Sequence, residues 1–327
     1  MTPNDISGDA LRAVFSLTGT KPGVISARHA IMGGHGTITL VGASEELMAR
    51  AWALAAECER LWTRFLPDSD ISRLNWTEGQ PVDVDALTIR LIEAMKLGHE
   101  LSLGAFDPTL LVDELKAGYV ASAVDSSRTT SLPASAVSPG NVGGIRITRA
   151  SDQTPPTVTM PLGTVLDSGG IGKGLAADLV CEFALAEGAW GVMAEFGGDI
   201  AVAGKAPDGV AWRLGIENPF DTQTHAAVIR LSEGAIVTSS QRKRRFGKPG
   251  EEQHHLIDPE THVSANTTVQ TVTVIAATGA RAEALAKPGF MQDTTHYLEW
   301  LPTVGAAGMV IDDTGTERFS ENWMRYQ

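Results

Sequence analysis

From Thr157 onward the chain reads as strand after strand, with scarcely a helix between them. Strand-like segments fall at 157–160, 164–167, 191–195, 200–203, 211–217, 226–231, 235–238 and 269–276. One helix is expected near 173–186, and a last one over 280–286, stopped by Pro288. A parallel sheet needs a long crossover, usually a helix, between successive strands, and this pattern lacks them. The expectation is therefore an antiparallel or mixed sheet in an α+β fold rather than a doubly wound one.

The first half is more helical. A strand over 36–41 leads to Ser44, a good helix N-cap, with Glu45 and Glu46 in the first turn. Leu47, Ala51, Leu54, Ala55, Cys58 and Leu61 recur at helical spacing, which predicts a helix running to about Phe65. A polar loop at 67–70 follows, then a helix over 87–101 that stops at Gly104. Residues 121–142 are rich in Ser, Thr, Ala and Pro, and an exposed loop is expected over about 121–156. The organisation expected is an N-terminal tail over 1–30 and a single domain over 31–327.

The net charge of -13 argues against a nucleic-acid-binding protein, since gripping phosphates along a duplex needs a basic face. A small anionic ligand needs only a local cluster of donors. Cys58 and Cys181 lie among apolar neighbours and are expected to be buried free thiols. No apolar run approaches the ~18 residues of a membrane span, so no membrane insertion is expected. Asp5, Asp9 and Arg12 interrupt the first residues, which leaves no export-signal core and makes a cytoplasmic location the expectation.

Five clusters carry chemistry. Asp167-Ser168-Gly169-Gly170-Ile171-Gly172-Lys173-Gly174 runs from a strand-like segment into a helix. Its glycines allow close backbone approach, helix-start amides favour an anion, and Lys173 adds a positive charge. It is not a P-loop, because Gly174 rather than Ser or Thr follows the lysine. Gly172, Gly174 and Ala177 fit a dinucleotide fingerprint, with Glu195 at a distance suited to a ribose contact, but the flanks lack a repeating strand–helix–strand series. Gly197-Gly198-Asp199 is either a hairpin turn or a ligand contact. Thr238-Ser239-Ser240 opens a basic stretch through Arg242, Lys243, Arg244 and Arg245, which otherwise reads as a solvated loop. His255 with Asp258 three residues on is either a base held by its carboxylate or a histidine beside a turn. Glu283 and Lys287 stand one helical turn apart and would form an exposed ion pair if nothing else claimed them.

Taken in order, these segments resemble the ApbE family of FAD:protein FMN transferases. The resemblance covers about residues 30–315. It includes Met32-Gly33, Phe65-Leu66-Pro67-Asp68-Ser69, Ser72-Arg73-Leu74-Asn75 and Gly104-Ala105-Phe106-Asp107-Pro108-Thr109. It continues through the 167–174 loop, Gly197-Gly198-Asp199, Thr238-Ser239-Ser240, His255 with Asp258-Pro259, and the helix at Glu283. It implies two related α/β halves around an FAD cleft, and a Mg²⁺ ion at the FAD pyrophosphate. The implied reaction moves FMN from FAD to a Thr or Ser hydroxyl of a target flavoprotein, with release of AMP.

Carried over by position, Met32 and Phe65 flank the flavin ring. Gly170, Gly172, Lys173, Gly198, Asp199, Thr238 and Ser239 contact the cofactor. Gly172, through its carbonyl, and Glu283 hold the metal. His255, with Lys173 and Glu283, serves the chemistry. Five positions depart from the family pattern. Phe65 stands where tyrosine is common, Glu195 where a neutral amide is common, Glu283 replaces an aspartate, Lys287 a metal-assisting threonine, and His262 a glycine. Two other functions remain open on the sequence: FAD binding or hydrolysis without a protein acceptor, and a nucleotide-dependent oxidoreductase.

Overall fold

The computed structural model describes residues 22–122, 124–151, 154–242, 245–246 and 253–327. Residues 1–21, the bulk of the expected tail, lie outside them, as do Lys243 and Arg244 of the basic stretch. Strands β1 (Val24–Ile31) and β2 (Gly34–Val41) form a hairpin, so the last part of the expected tail belongs to the sheet. Helix α1 (Glu45–Trp62) starts where expected: the Ser44 hydroxyl accepts the Leu47 N–H at 3.2 Å. It ends at Trp62, which frees 63–65 to turn into the cleft described below.

Then come α2 (Asp70–Asn75), β3 (Pro81–Asp83), α3 (Ala86–Leu101), α4 (Leu111–Ala117), β4 (Arg146–Thr148) and β5 (Thr157–Thr159). The expected loop over 121–156 thus contains β4, in a small sheet of order β3-β5-β4. It is also tied down, since Thr130 accepts from Arg64 and the Ser131 carbonyl accepts from the Trp76 indole. The expected strand at 164–167 is not one. Thr164 makes an isolated bridge to Val137, and the next residues pass buried beneath the core without joining a sheet.

The second half contains α5 (Gly172–Ala186), β6 (Gly191–Phe196), β7 (Asp199–Gly204), β8 (Trp212–Asn218), β9 (Asp221–Leu231), β10 (Gly234–Ser240), β11 (Arg245–Phe246), β12 (Gln253–His254) and β13 (Val269–Ala276). It closes with α6 (Gly279–Ala286), α7 (Thr294–Trp300), β14 (Ala307–Asp312) and β15 (Glu317–Phe319). The main sheet has eight strands in the order β1-β2-β6-β7-β10-β13-β14-β15, every neighbour antiparallel. The α+β expectation holds, and the sheet is antiparallel rather than mixed.

Alternation along the strands divides the core. Val192, Ala194, Ala235, Val237, Val272 and Val274 face the helices, while Val202, Ile236, Ile275 and Met309 face the β8–β9 hairpin and buried Trp323. Helices α5 and α6 lie side by side on the first face and cross at Gly174 and Gly279. A Cβ on either glycine would overlap the other's backbone, so only glycine permits this approach. Cys58 and Cys181 are buried free thiols. Burial pushes the Cys58 thiol up to about 12, which keeps it protonated and inert.

Candidate active site

Two cavities meet on the helix face. The larger, about 430 Å³, is lined by Met32, Glu59, Phe65, Tyr119, Gly172 and Lys173 among others. That lies within the ~300–1,000 Å³ of small-molecule sites. The smaller, about 60 Å³, is lined by Asp107, Glu114, Gly170, His255 and Lys287 among others. Tyr119, Asp167 and Gly169 line both, so the glycine segment forms the sill between them.

Met32 tops the β1–β2 turn with φ of 50°, followed by Gly33 at 76°. Two positive φ values suit the tight turn of a right-twisted hairpin, where Asn-Gly is the usual pair. A methionine in that conformation is strained and points to a local demand. The Glu59 carboxylate on α1 accepts the Met32 N–H at 2.6 Å and holds it there. Burial raises the Glu59 pKa against the lowering effect of that hydrogen bond.

Phe65 packs edge-on to Tyr119, with ring centroids 6.1 Å apart. Between them lies Arg64, its guanidinium carbon 4.4 Å from the Phe65 centroid and 4.6 Å from that of Tyr119. The Arg64 side chain is only 2% exposed and pairs with Asp167 at 2.9 Å. It also donates to the Tyr119 carbonyl at 2.9 Å and to Thr130. Arg64, Tyr119 and Glu59 were not foreseen from the sequence. Arg64 adjoins the motif residue Phe65 and Glu59 lies within α1, neither with a pattern of its own, and Tyr119 adjoins the loop read as exposed.

The glycine segment is organised around Asp167 and Ser168. Asp167 accepts the Gly169 N–H at 2.9 Å, and the Ser168 carbonyl accepts the Gly172 N–H at 2.8 Å. Helix α5 then begins without a side-chain cap of its own. Glu283, reaching from α6, accepts the Gly174 N–H at 2.9 Å and so serves as a cap from a neighbouring helix. Asp178 returns the favour, accepting the Gly279 N–H at 2.6 Å and the Ala280 N–H at 3.0 Å at the start of α6. Burial raises the Asp178 pKa to about 7 despite these two donors.

Lys173 is held at both carboxylates of a buried pair. Its ammonium pairs with Glu283 at 2.9 Å and with Asp199, whose carboxylates have side chains 2% and 3% exposed. The exposed Glu283–Lys287 pair is therefore not formed: Glu283 is buried and turned to Lys173, and the Lys287 ammonium donates to Ser239 at 3.1 Å. Gly172 is the first residue of α5 and lines the larger cavity.

Gly197 and Gly198 make the β6–β7 turn with φ of 63° and 96°, which settles the hairpin reading. The turn still belongs to the site, because Gly197 abuts the Lys173 stem and Asp199 holds its ammonium. Gly198 donates its N–H to Glu195 at 2.8 Å. That use of Glu195 removes the ribose contact of the dinucleotide fingerprint. The fingerprint also fails on topology, since no strand leads into α5 and β6 pairs antiparallel on both sides. Ser239 faces the helices and meets Lys287, whereas Thr238 alternates to the other face and bonds Thr273 at 2.9 Å. Thr238 thus stands apart from both cavities.

His255 lines the small cavity beside Gly170 and Lys287. Asp258 does not orient it; that carboxylate accepts the Glu260 N–H at 2.9 Å and caps the next turn. His262 occupies the expected glycine position with φ of 62°, and its Nδ1 lies 2.8 Å from Asp113 on α4. No group of three or more His, Cys, Asp or Glu side chains suited to a metal occurs among the described residues. No helix among them is long and apolar enough to cross a membrane.

The fold and site define a class: an antiparallel α+β protein whose cleft joins an aromatic- and methionine-lined chamber to a glycine-amide and lysine sill. The chain belongs to the ApbE family, whose model matches residues 32–309. It is 30% identical over 238 residues to the FAD:protein FMN transferase of Treponema pallidum, covering 68% of this chain and 65% of that one. It is 28% identical to the FAD:protein FMN transferase of Vibrio cholerae, covering 74% of this chain and 72% of that one. The crystal structure of the ApbE protein from Thermotoga maritima superposes with a TM-score of 0.79 at 24% identity, over 93% of this chain and 99% of that one. That likeness is one of fold.

Proposed function

We propose that this chain is an FAD:protein FMN transferase that moves FMN from FAD to a Ser or Thr hydroxyl of a target flavoprotein. The observation that carries the reading is the junction of the two cavities at Asp167–Gly169. A flavin fits the chamber between Met32 and Phe65, and its phosphates would then lie on the glycine sill beside Lys173. The linkage to be cut falls next to the small cavity, where His255 waits. The names borne by the relatives point to the same activity.

In the transfer, the acceptor oxygen forms a bond to the FMN phosphorus of FAD. The phosphoanhydride bond to AMP breaks, and the hydroxyl proton passes to His255 Nε2 or Nδ1 as general base. Lys173 and the sill amides hold the pyrophosphate in place, which is most of what phosphoryl transfer asks of a protein. The aromatic walls keep water from the flavin end.

The residues fit Mg²⁺. Glu283 and Asp199 are hard oxygen donors converging on one point, now held by the Lys173 ammonium, and Mg²⁺ is commonly bound by one or two carboxylates plus substrate phosphates. Glu283 and the Gly172 carbonyl would hold the ion. When bound, it neutralises charge on the pyrophosphate and the departing AMP. A cytoplasmic target is the further proposal. The test is incubation of the protein with FAD, Mg²⁺ and candidate acceptors. Covalent flavin on the acceptor with AMP released supports the reading, whereas FMN and AMP free in solution indicate a hydrolase.

A further inference from the structure

His255 sits at the foot of a short hairpin that runs from Leu256 to Ala265. Leu256 O accepts the Ala265 N–H at 2.9 Å, and Asp258 donates its N–H to Val263 O at 2.9 Å. Ile257 bridges Ser264 between them. The foot is pinned through its neighbour His254: its N–H donates to Ser264 Oγ at 3.0 Å, and its Nε2 lies 3.1 Å from Ala265 O. The tip is pinned differently. His262 N–H closes the turn onto Asp258 O at 2.8 Å, and the His262 ring reaches Asp113 at 2.8 Å.

Three observations bear on that tip. His262 adopts φ of 62°, a conformation in which glycine is comfortable and a residue with a Cβ is not. Asp113 is a buried carboxylate, held also by Lys116 at 3.2 Å and by the Ser138 hydroxyl. Burial pushes its pKa up, but the Ser138, His262 and Lys116 bonds together outweigh that and hold it below the usual range. Finally, the start of α4 and the hairpin line one cavity together: Leu110 and Glu114, on either side of Asp113 in sequence, and His255, Leu256 and Ile257.

We infer that the His262–Asp113 pair is a latch that positions His255, by fastening the 256–265 hairpin across the small cavity to α4. His262 and Asp113 are positioning residues: neither lines the cavity, and both act through His255. The inference rests on the transfer reaction proposed above. Without the latch, the bonds left to the tip among the described residues are those of its own turn and hairpin, and the residue presented to the acceptor hydroxyl shifts with the hairpin.

His262→Gly is the sharpest variant, because it relieves the backbone at φ of 62° while removing the latch. A loss of activity therefore cannot be charged to backbone strain. Displacement of a reacting group by about 1 Å costs about 10²-fold in rate, so His262→Gly is expected to slow FMN transfer by roughly 10- to 100-fold at saturating FAD. The KM for FAD stays within a few-fold, since the flavin chamber is untouched. Amide hydrogen exchange at 256–265 rises in the same variant. Asp113→Asn gives a similar change, the double variant loses little more than either single one, and His262→Gln, whose amide can donate to Asp113, retains most of the rate. Unchanged exchange and rate in His262→Gly overturn the latch, as do fully additive losses in the double variant. A wild-type protein that transfers no FMN defeats the functional reading instead, and hydrogen exchange then still decides whether the latch exists.

Discussion

The Lys173 cluster can be tested by removing its charge alone. Lys173→Met keeps the stem that packs against Gly197 and deletes the ammonium shared by Asp199 and Glu283. Both carboxylates are almost wholly buried, so neither can recover its hydration. Glu283 keeps one donor, the Gly174 N–H. Removing one partner from a buried ion pair costs about 3–5 kcal/mol, because it strands a charge. At about 2 °C per kcal/mol for a large domain, the melting temperature should fall by roughly 6–10 °C. Thermal unfolding by circular dichroism in chelator-treated buffer measures this directly. Millimolar Mg²⁺ should restore more stability to Lys173→Met than to the wild type, since the vacated point between the carboxylates then favours a cation, and binding to the native state stabilises it by mass action. Adding Glu283→Gln to Lys173→Met should recover part of the lost stability and abolish the Mg²⁺ response. A melting temperature within 1–2 °C of wild type, at about 2 °C per kcal/mol, would show that the carboxylates do not depend on Lys173 and would refute the reasoning.

Three further outcomes follow from the same geometry. His255→Ala should slow transfer by about 10²–10⁴-fold while FAD affinity stays within a few-fold, as measured by single-turnover kinetics and fluorescence titration; an unchanged rate makes His255 structural. Gly174→Ala forces a Cβ into the Gly279 backbone and should destabilise the protein by about 1–3 kcal/mol or more in urea unfolding; tolerance would mean that α5 and α6 need no such close crossing. Asp178 has a folded pKa of about 7 against an ordinary value of 3.8, so its ionised form is less favourable folded than unfolded. That contribution makes stability fall as pH rises from about 4 to 7 and level off above, and Asp178→Asn should flatten the slope across that window.

Much of the architecture was legible because strand and helix periods are written locally. Ser44 with Glu45 and Glu46 announced α1, and Pro288 placed the end of α6 within two residues. The succession of strands after Gly191 excluded a parallel sheet, and the antiparallel order bears this out. What escaped was information held in long-range packing. β14 reads only as a short apolar run, and α7 as a polar stretch; each is fixed by what it packs against. The 164–167 segment carries a strand's residues, yet its partner is Asn75, whose side chain takes both the Leu166 N–H and carbonyl at 2.7 and 2.9 Å in place of a neighbouring strand.

The site divides in the same way. Glycines at 197, 198 and 174 were visible as glycines, but only the fold shows which serves a turn and which a helix crossing. The Glu283–Lys287 surface pair that the spacing alone would allow is not formed, because helical spacing cannot tell a buried face from an exposed one when alanines surround both. Thr238 and Ser239 are adjacent in sequence and opposite in space, since neighbours in a strand alternate faces. Arg64 could not be foreseen at all: a buried arginine between two aromatic rings is defined by partners 55 and 66 residues away.

The most direct test of the central claim is a reaction of the purified protein with FAD, Mg²⁺ and the flavoproteins encoded beside its gene, read by intact-mass spectrometry and nucleotide chromatography. The account predicts one FMN linked through phosphate to a Ser or Thr of one acceptor for each AMP released, with the yield lost in His255→Ala. FAD consumed to free FMN and AMP with no flavin on any acceptor, or FAD retained intact, would contradict it.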